Sequence, residues 1–121
     1  MYTNKKISGI GKSGEEFTAE YLRKNGYIVI KQNFSNRFGE IDIIAENSEY
    51  IVFVEVKTRK YGAMVGGTEA VDAYKMSRIK NLSNDFLRKF ETDKPPRFDV
   101  ADVVYDDFDD KFSINYIESA F

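Results

Sequence analysis

Three residues, Asp42, Glu55 and Lys57, have the types and the spacing to support chemistry that uses a divalent cation. Residues 51–59 are rich in β-branched side chains, which predicts a central β-strand. Alternate side chains of a strand face opposite ways, so Glu55 and Lys57 share one face with Phe53. A carboxylate and an ammonium group would therefore project side by side from a well-buried strand.

The preceding strand supplies a second carboxylate. A polar turn at residues 47–50 predicts a hairpin between the two strands. In that register Glu46 lies opposite Ile51, and counting back puts Asp42 opposite Glu55. Directly opposed side chains lie roughly 5 Å apart on one face of a sheet. A register shift of one residue would separate the two acids.

Two interpretations of the paired acids are open. Opposed carboxylates repel and destabilise a hairpin, and a divalent cation between Asp42 and Glu55 would remove that penalty. Alternatively, Glu55 forms an ordinary ion pair with Lys57, and Asp42 sits in solvent. Both acids lie among isoleucines and valines, which favours the metal site.

Composition narrows the chemistry further. The 121 residues include no histidine and no cysteine, which excludes Ser-His and Cys-His catalysis, disulfides and the usual His/Cys zinc sites. A general base must then be a carboxylate, a lysine, a tyrosine or a water molecule on a metal ion. Oxygen ligands suit Mg²⁺ or Mn²⁺, which are the expected cofactors. The net charge of −2 does not suggest a protein that coats nucleic acid non-specifically, since such proteins are usually basic.

The pattern of elements predicts an α/β protein. Residues 1–10 are expected to be a mobile arm, and residues 11–121 a single domain. The order α-β-β-β-α-β-β predicts a central mixed sheet flanked by helices, with the third and fourth strands parallel. The second helix is expected to begin after Thr68 and to end before Pro95. The other predicted elements are a helix at residues 11–25 and strands at residues 27–30, 38–45, 50–59, 98–105 and 111–117.

The motif residues resemble a known superfamily. Asp42, twelve intervening residues and then Glu55-Val56-Lys57 match the Asp…Glu-x-Lys signature of PD-(D/E)xK nucleases. The wider segments 33–45 and 52–59 resemble the YraN-like family, which is similar to archaeal Holliday-junction resolvases. The usual proline before the motif aspartate is replaced by Ile41, as is common in the Gly-Glu-Ile-Asp pattern of YraN-like sequences. Further segments extend the resemblance over most of the chain.

The resemblance implies a restriction-endonuclease-like fold and metal-dependent hydrolysis of phosphodiester bonds. It implies Asp42 and Glu55 as metal ligands, with the backbone carbonyl of Val56 as a further ligand. Lys57 would place or activate the attacking water. This chemistry is coherent, because Mg²⁺ can polarise the phosphoryl oxygen and supply a nucleophile near neutral pH. A lysine beside the metal can stabilise the negative charge of the transition state.

The first helix offers a further acid, Glu15. With roughly 100° per residue, Glu16 and Glu20 fall on a polar stripe, whereas Glu15 falls beside Ala19 and Leu22 at the edge of the sheet-facing side. Glu15 is therefore the better candidate to reach the metal, through a water molecule. The alternative is that Glu15 only complements the helix dipole.

Four basic residues are candidates for contact with phosphates. Lys75 falls towards the apolar side of the second helix, and the alternative is a lysine whose stem covers apolar surface while its amine reaches water. Arg37, Arg59 and Lys60 are expected at the rim of the site, and the alternative there is a solvated face.

Three functions are compatible with these residues. The leading hypothesis is a Mg²⁺- or Mn²⁺-dependent endodeoxyribonuclease that acts on DNA, including branched or structured DNA, more than on RNA. The others are a nucleic-acid-binding module without turnover and an accessory subunit of a larger repair or recombination complex. A resolvase-like activity would need two sites and hence a homodimer. A cytoplasmic location without membrane association is expected, since no apolar run could span a bilayer and no signal peptide is visible.

Overall fold

The computed structural model describes residues 3–62 and 73–121, with side chains from residue 12 onwards. In these ranges two helices and five strands follow one another in the predicted order α-β-β-β-α-β-β. The elements are α1 Thr3–Lys24, β1 Ile28–Asn36, β2 Gly39–Glu46, β3 Ile51–Lys60, α2 Ala73–Lys89, β4 Pro96–Asp106 and β5 Lys111–Ile117. Neither of these helices combines the length and the apolar character needed to cross a membrane.

The five strands form one mixed sheet in the order β1-β2-β3-β4-β5. Strands β3 and β4 are parallel, and the other neighbouring pairs are antiparallel. Helix α2 lies in the connection between the two parallel strands, as expected for a crossover that must return the chain to the same edge. The predicted order of elements and the predicted mixed sheet with parallel β3 and β4 are confirmed.

Helix α1 begins earlier than the sequence predicts. Its start was predicted at residue 11, but α1 starts at Thr3, so residues 3–10 of the expected arm have helical backbone. The glycine at position 11 costs a helix only about 1 kcal/mol relative to alanine, which does not force the helix to begin there. The predicted cap of the second helix, Thr68, lies outside the described residues.

Helix α1 approaches β3 closely at Gly14. A Cβ atom at this position would lie 2.2 Å from Thr58 Oγ1, a distance that no side chain tolerates. Glycine at this position therefore lets the helix rest directly on the strand. Glu15, the next residue, is held beside the sheet as a result.

The two faces of the sheet carry separate cores. Val52 and Val54 pack on the α1 side with Leu22, whereas Phe53 packs on the α2 side with Ile79. This separation confirms the predicted alternation of β3. The next odd-numbered residue of β3 is Glu55, which therefore projects towards α2.

A buried ion pair stands at the start of β4. Arg97 Nη2 lies 2.8 Å from Asp99 Oδ2, and the same nitrogen donates to the hydroxyl of Tyr27 at 2.5 Å. Asp99 also accepts hydrogen bonds from the Tyr116 hydroxyl at 2.6 Å and from the Ser119 N–H at 2.9 Å. This network joins β4 to the start of β1 and the end of β5.

Candidate active site

The β2–β3 hairpin has the predicted register. Glu46 pairs with Ile51, and this register sets Asp42 opposite Glu55. The ladder of paired residues ends one step before Asp42, and the N–H of Val56 donates instead to Asp42 Oδ2 at 2.8 Å. The carboxylate of Asp42 thus takes the place of a main-chain acceptor, which holds it against β3 beside Glu55.

Asp42 lies at an irregular point of β2. Its neighbours Ile41 and Ile43 would share a face in a regular strand, but they pack in the cores on opposite sides of the sheet. The facing position on β1 is Asn33, which has a left-handed backbone with φ 56°. A left-handed residue within a strand bends it and redirects the side chains around it. This bend accounts for the release of Asp42 from regular pairing.

Burial and negative charge both act on Asp42. Removal from water is the larger cause and the charge of Glu55 the next, and together they raise the pKa of Asp42 to about 7. The hydrogen bond from Val56 lowers this pKa, whereas the carboxylates of Glu15 and Glu40 raise it. A carboxyl group in this environment binds a proton near neutral pH, and a metal cation would relieve the same repulsion.

A lysine of α2 neutralises the charge of Glu55. Glu55 is only 7 % exposed, and its Oε2 forms a salt bridge with Lys75 Nζ. Lys57 follows on β3, beside Asp102 of the parallel strand β4, and forms no ion pair with any other described residue. The ordinary Glu55–Lys57 ion pair that the sequence left open is therefore not formed.

Glu15 reaches the same region from α1. With its nitrogen turned towards two carboxylates, the Asn33 amide donates to Glu40 Oε2 at 2.8 Å and to Glu15 Oε1 at 3.2 Å. Burial raises the pKa of Glu15, and the Asn33 hydrogen bond lowers it. Glu16 is exposed and accepts a hydrogen bond from Gln32 at 3.3 Å. Glu15 thus faces the sheet and Glu16 faces solvent, as the helical geometry predicts.

Sequence reasoning missed two residues of this arrangement, Asn33 and Glu40. Glu40 lies beyond the irregular point at Asp42, so strand alternation did not predict on which side of the sheet its side chain lies. Asparagine is enriched among left-handed residues, so Asn33 within an apolar strand could have suggested the bend.

An open cleft of about 350 Å³ lies over the acids, between α2 and strands β2 and β3. We call it the acidic cleft, and Glu40, Asp42, Glu55, Lys75 and Arg78 are among the residues that line it. Within the described ranges, no three acidic side chains converge into a complete metal cage. A Mg²⁺ ion needs only one or two carboxylates, because water and phosphate oxygens fill its other positions. The two opposed carboxylates therefore fit a hard divalent cation. Val56 and Glu15, the further donors that the sequence analysis expected, are not among the described residues that line the acidic cleft.

The four basic candidates lie in different places. Lys75 lines the acidic cleft. Arg59 and Lys60 form salt bridges of 3.5 and 3.4 Å with acidic residues on β4 and in the turn after it, and neither lines the acidic cleft. Arg37 lies in an adjoining cleft on the other side of Arg78. The structure thus brings Lys75 to the acids, places Arg37 in the adjoining cleft, and pairs Arg59 and Lys60 with other acids.

The pKa of Asp42 predicts a pH dependence of stability. An aspartate in an unfolded chain has a pKa near about 3.9, so between about pH 4 and pH 7 the folded protein holds a proton that the unfolded chain has released. The free energy of unfolding of the metal-free protein should therefore fall as the pH rises through this window. Asp42→Asn should flatten that slope and leave the variant more stable than the wild type above pH 7.

Urea denaturation in EDTA at several pH values tests this expectation. Asp107→Asn, which changes an exposed aspartate outside the acidic cleft, is the matched control and should keep the slope of the wild type. A slope that Asp42→Asn leaves unchanged would show that Asp42 does not hold the proton.

The two neighbouring glutamates of α1 should behave differently. Glu15→Gln is expected to weaken Mn²⁺ binding on the order of tenfold, as loss of an outer-sphere partner does, because the charge of Glu15 acts on Asp42. Glu16→Gln should leave the affinity unchanged, since Glu16 is exposed and bonds to Gln32. Titration of each variant with Mn²⁺ measures the difference. Equal Mn²⁺ affinities of the two variants would show that Glu15 does not contribute to the metal site.

Comparison with known proteins establishes the family. The model of the Uncharacterised protein family UPF0102 matches residues 14–103. A UPF0102 protein of Alkaliphilus oremlandii is 43% identical over 98% of this chain and 99% of its own length. A UPF0102 protein of Clostridium botulinum is 38% identical over 99% of this chain and 97% of its own length.

Two solved structures show weaker similarity. A repair endonuclease from Pyrococcus abyssi has 15% identity and a TM-score of 0.42, covering 79% of this chain and 36% of that one. An XisH family protein from Nostoc punctiforme has 14% identity and a TM-score of 0.36, covering 86% of this chain and 98% of that one. At these scores neither structure bears on activity, and the assignment comes from the sequence matches. The chain belongs to the Uncharacterised protein family UPF0102.

Proposed function

We propose that this protein is a Mg²⁺- or Mn²⁺-dependent endonuclease of the PD-(D/E)xK type that hydrolyses phosphodiester bonds in DNA. Branched or otherwise structured DNA is the proposed substrate. One observation carries the proposal: two mutually repelling carboxylates, the half-buried Asp42 and the buried Glu55, line an open cleft, and Lys57 lies on the same strand as Glu55.

Asp42 and Glu55 would hold the cation, with the Val56 carbonyl as a third donor. Once bound, the cation would supply Lewis acidity at the phosphoryl oxygen and lower the pKa of a water molecule. The N–H of Val56 keeps the Asp42 carboxylate oriented towards β3.

Lys57 would stabilise the negative charge that develops on the phosphate and orient the attacking water. It is suited to this role because it is not engaged in a salt bridge with another described residue. Lys75 and Arg78 line the same cleft and would hold the phosphate of the substrate. The positive charges on α2 and the carboxylates on β2 and β3 would then face the same phosphodiester bond.

Nucleic-acid binding without turnover is the second candidate. The salt bridge between Lys75 and Glu55 favours it, because a lysine neutralises the carboxylate without a metal. In that case the Lys75–Glu55 ion pair would be purely structural, and Mn²⁺ would have no effect on the protein.

Incubation of the purified protein with branched, nicked, single-stranded and duplex DNA, with Mn²⁺ or with EDTA, tests the two candidates. The endonuclease proposal predicts cleavage of at least one substrate in Mn²⁺ and none in EDTA. Binding to DNA without Mn²⁺-dependent cleavage of any substrate would favour the second candidate.

A further inference from the structure

A second cleft adjoins the acidic cleft. Its volume is about 510 Å³, and Tyr74, Arg78 and Leu82 line both clefts. We call it the arginine–aromatic cleft, after Arg37, Phe38, Tyr74 and Arg78. Since the two clefts share a wall, an extended ligand could occupy both at once.

Two aromatic rings of this cleft are exposed to solvent. Phe38 is 55% exposed and Tyr74 is 72% exposed, although rings of this size are normally buried. The Arg37 guanidinium lies 4.9 Å from the Phe38 ring centre, and that of Arg78 lies 5.6 Å from the Tyr74 ring centre. Exposed rings next to cationic groups are the arrangement on which unpaired bases stack in single-strand-binding grooves.

The charge of the cleft complements phosphate. Among the described residues, neither Arg37 nor Arg78 forms a salt bridge with a carboxylate. A third arginine, Arg88, is paired with Asp85 and adds little net charge. Two positive charges therefore remain for an anionic ligand.

Arg78 is fixed in position by the backbone of the β1–β2 turn. Its Nη2 donates to the carbonyl oxygen of Phe38. A Cβ atom at Gly39, where φ is 152°, would lie 2.7 Å from that nitrogen. Glycine at this position therefore leaves the room that the guanidinium needs, and the arginine is held between the two clefts.

We propose that the arginine–aromatic cleft binds a single-stranded segment of DNA that leads into the acidic cleft. Bases stack on Phe38 and Tyr74, while Arg37 and Arg78 contact the phosphates. Duplex DNA does not fit this surface, because its base faces are already stacked on one another. The inference rests on the proposed function, and it names the recognised feature as unpaired nucleotides next to the cleaved bond.

Fluorescence anisotropy with a labelled oligothymidine and a labelled duplex, both in EDTA, measures this binding without cleavage. The wild type should bind the oligothymidine more tightly than the duplex. The double variant Phe38→Ala with Tyr74→Ala should lose at least about tenfold in affinity for the oligothymidine, which corresponds to about 1.4 kcal/mol, and should bind the duplex as before. Both rings are exposed, so the fold should persist, and thermal melting checks this.

Matched variants separate stacking from other effects. Phe38→Tyr with Tyr74→Phe keeps both rings and should retain the affinity. Phe108→Ala removes a ring that is 94% exposed in the β4–β5 turn and should change nothing. Arg37→Ala should weaken binding to the oligothymidine and reduce its salt dependence by about one phosphate contact.

The outcomes separate this inference from the proposed function. Unchanged oligothymidine affinity in the double alanine variant, or equal affinity of the wild type for single strand and duplex, would overturn the stacking site even if Mn²⁺-dependent cleavage were intact. Selective loss of single-strand binding in that variant would support the site even if no cleavage occurred, in which case only the endonuclease proposal would fall.

Discussion

Replacement of Lys57 by alanine is expected to slow Mn²⁺-dependent DNA cleavage on the order of 10²–10³-fold, as the loss of one preorganised charge-stabilising group does. The physical reason is its place on β3, two residues after Glu55 and on the same face. Because Lys57 forms no salt bridge with another described residue, its removal leaves no buried charge without a partner. Folding and DNA binding should therefore be retained.

Steady-state kinetics with a DNA substrate that the wild type cleaves checks the prediction. The loss should appear in kcat and not in KM, because the proposed interaction is made in the transition state. Lys24→Ala, at an exposed lysine in the last turn of α1, is the control for the loss of one positive charge. If the kcat of Lys57→Ala lies within about tenfold of the wild-type value, which corresponds to about 1.4 kcal/mol of barrier, Lys57 does not take part in the chemical step.

Arg97→Ala should destabilise the protein by about 3–5 kcal/mol, the usual effect of removing one partner of a buried ion pair. The carboxylate of Asp99 is fully buried, and Arg97 is its only cationic partner among the described residues. The tyrosine hydroxyl and the Ser119 N–H that remain cannot neutralise its charge. Urea denaturation measures the free energy of unfolding.

Glu118→Gln provides the matched control. Glu118 lies 3.8 Å from Arg97 Nη1, but its side chain is 63% exposed. Such surface pairs contribute between about 0 and 1 kcal/mol, so this change should be nearly neutral. A loss of less than about 1 kcal/mol in Arg97→Ala would mean that water reaches Asp99 and that the network is not a main support of the sheet.

The sequence predicted the hairpin because its determinants are local. A short polar turn and an alternating strand set the register in which Glu46 pairs with Ile51. The position of Asp42 opposite Glu55 follows by counting. The parallel pairing of β3 with β4 was also predictable, since a helix stands between them in the chain.

The features that were missed depend on contacts distant in the sequence or on a single backbone angle. Lys75 is the partner of Glu55 because α2 packs over β3, and no spacing rule selects it over Lys57. The bend at Asn33 arises from one left-handed residue, which hydrophobic periodicity does not reveal. The link from Asn33 to Glu15 and Glu40 depends on that bend.

Binding of Mn²⁺ by the metal-free protein tests the central claim most directly. Electron paramagnetic resonance detects the free aqueous ion, and a titration near pH 8 avoids competition from the proton on Asp42, whose pKa is raised to about 7. The wild type should bind Mn²⁺, and the double variant Asp42→Asn with Glu55→Gln should lose this binding while remaining folded. Undiminished Mn²⁺ binding in the double variant, or none in the wild type with or without DNA, would contradict a metal centre at these two carboxylates.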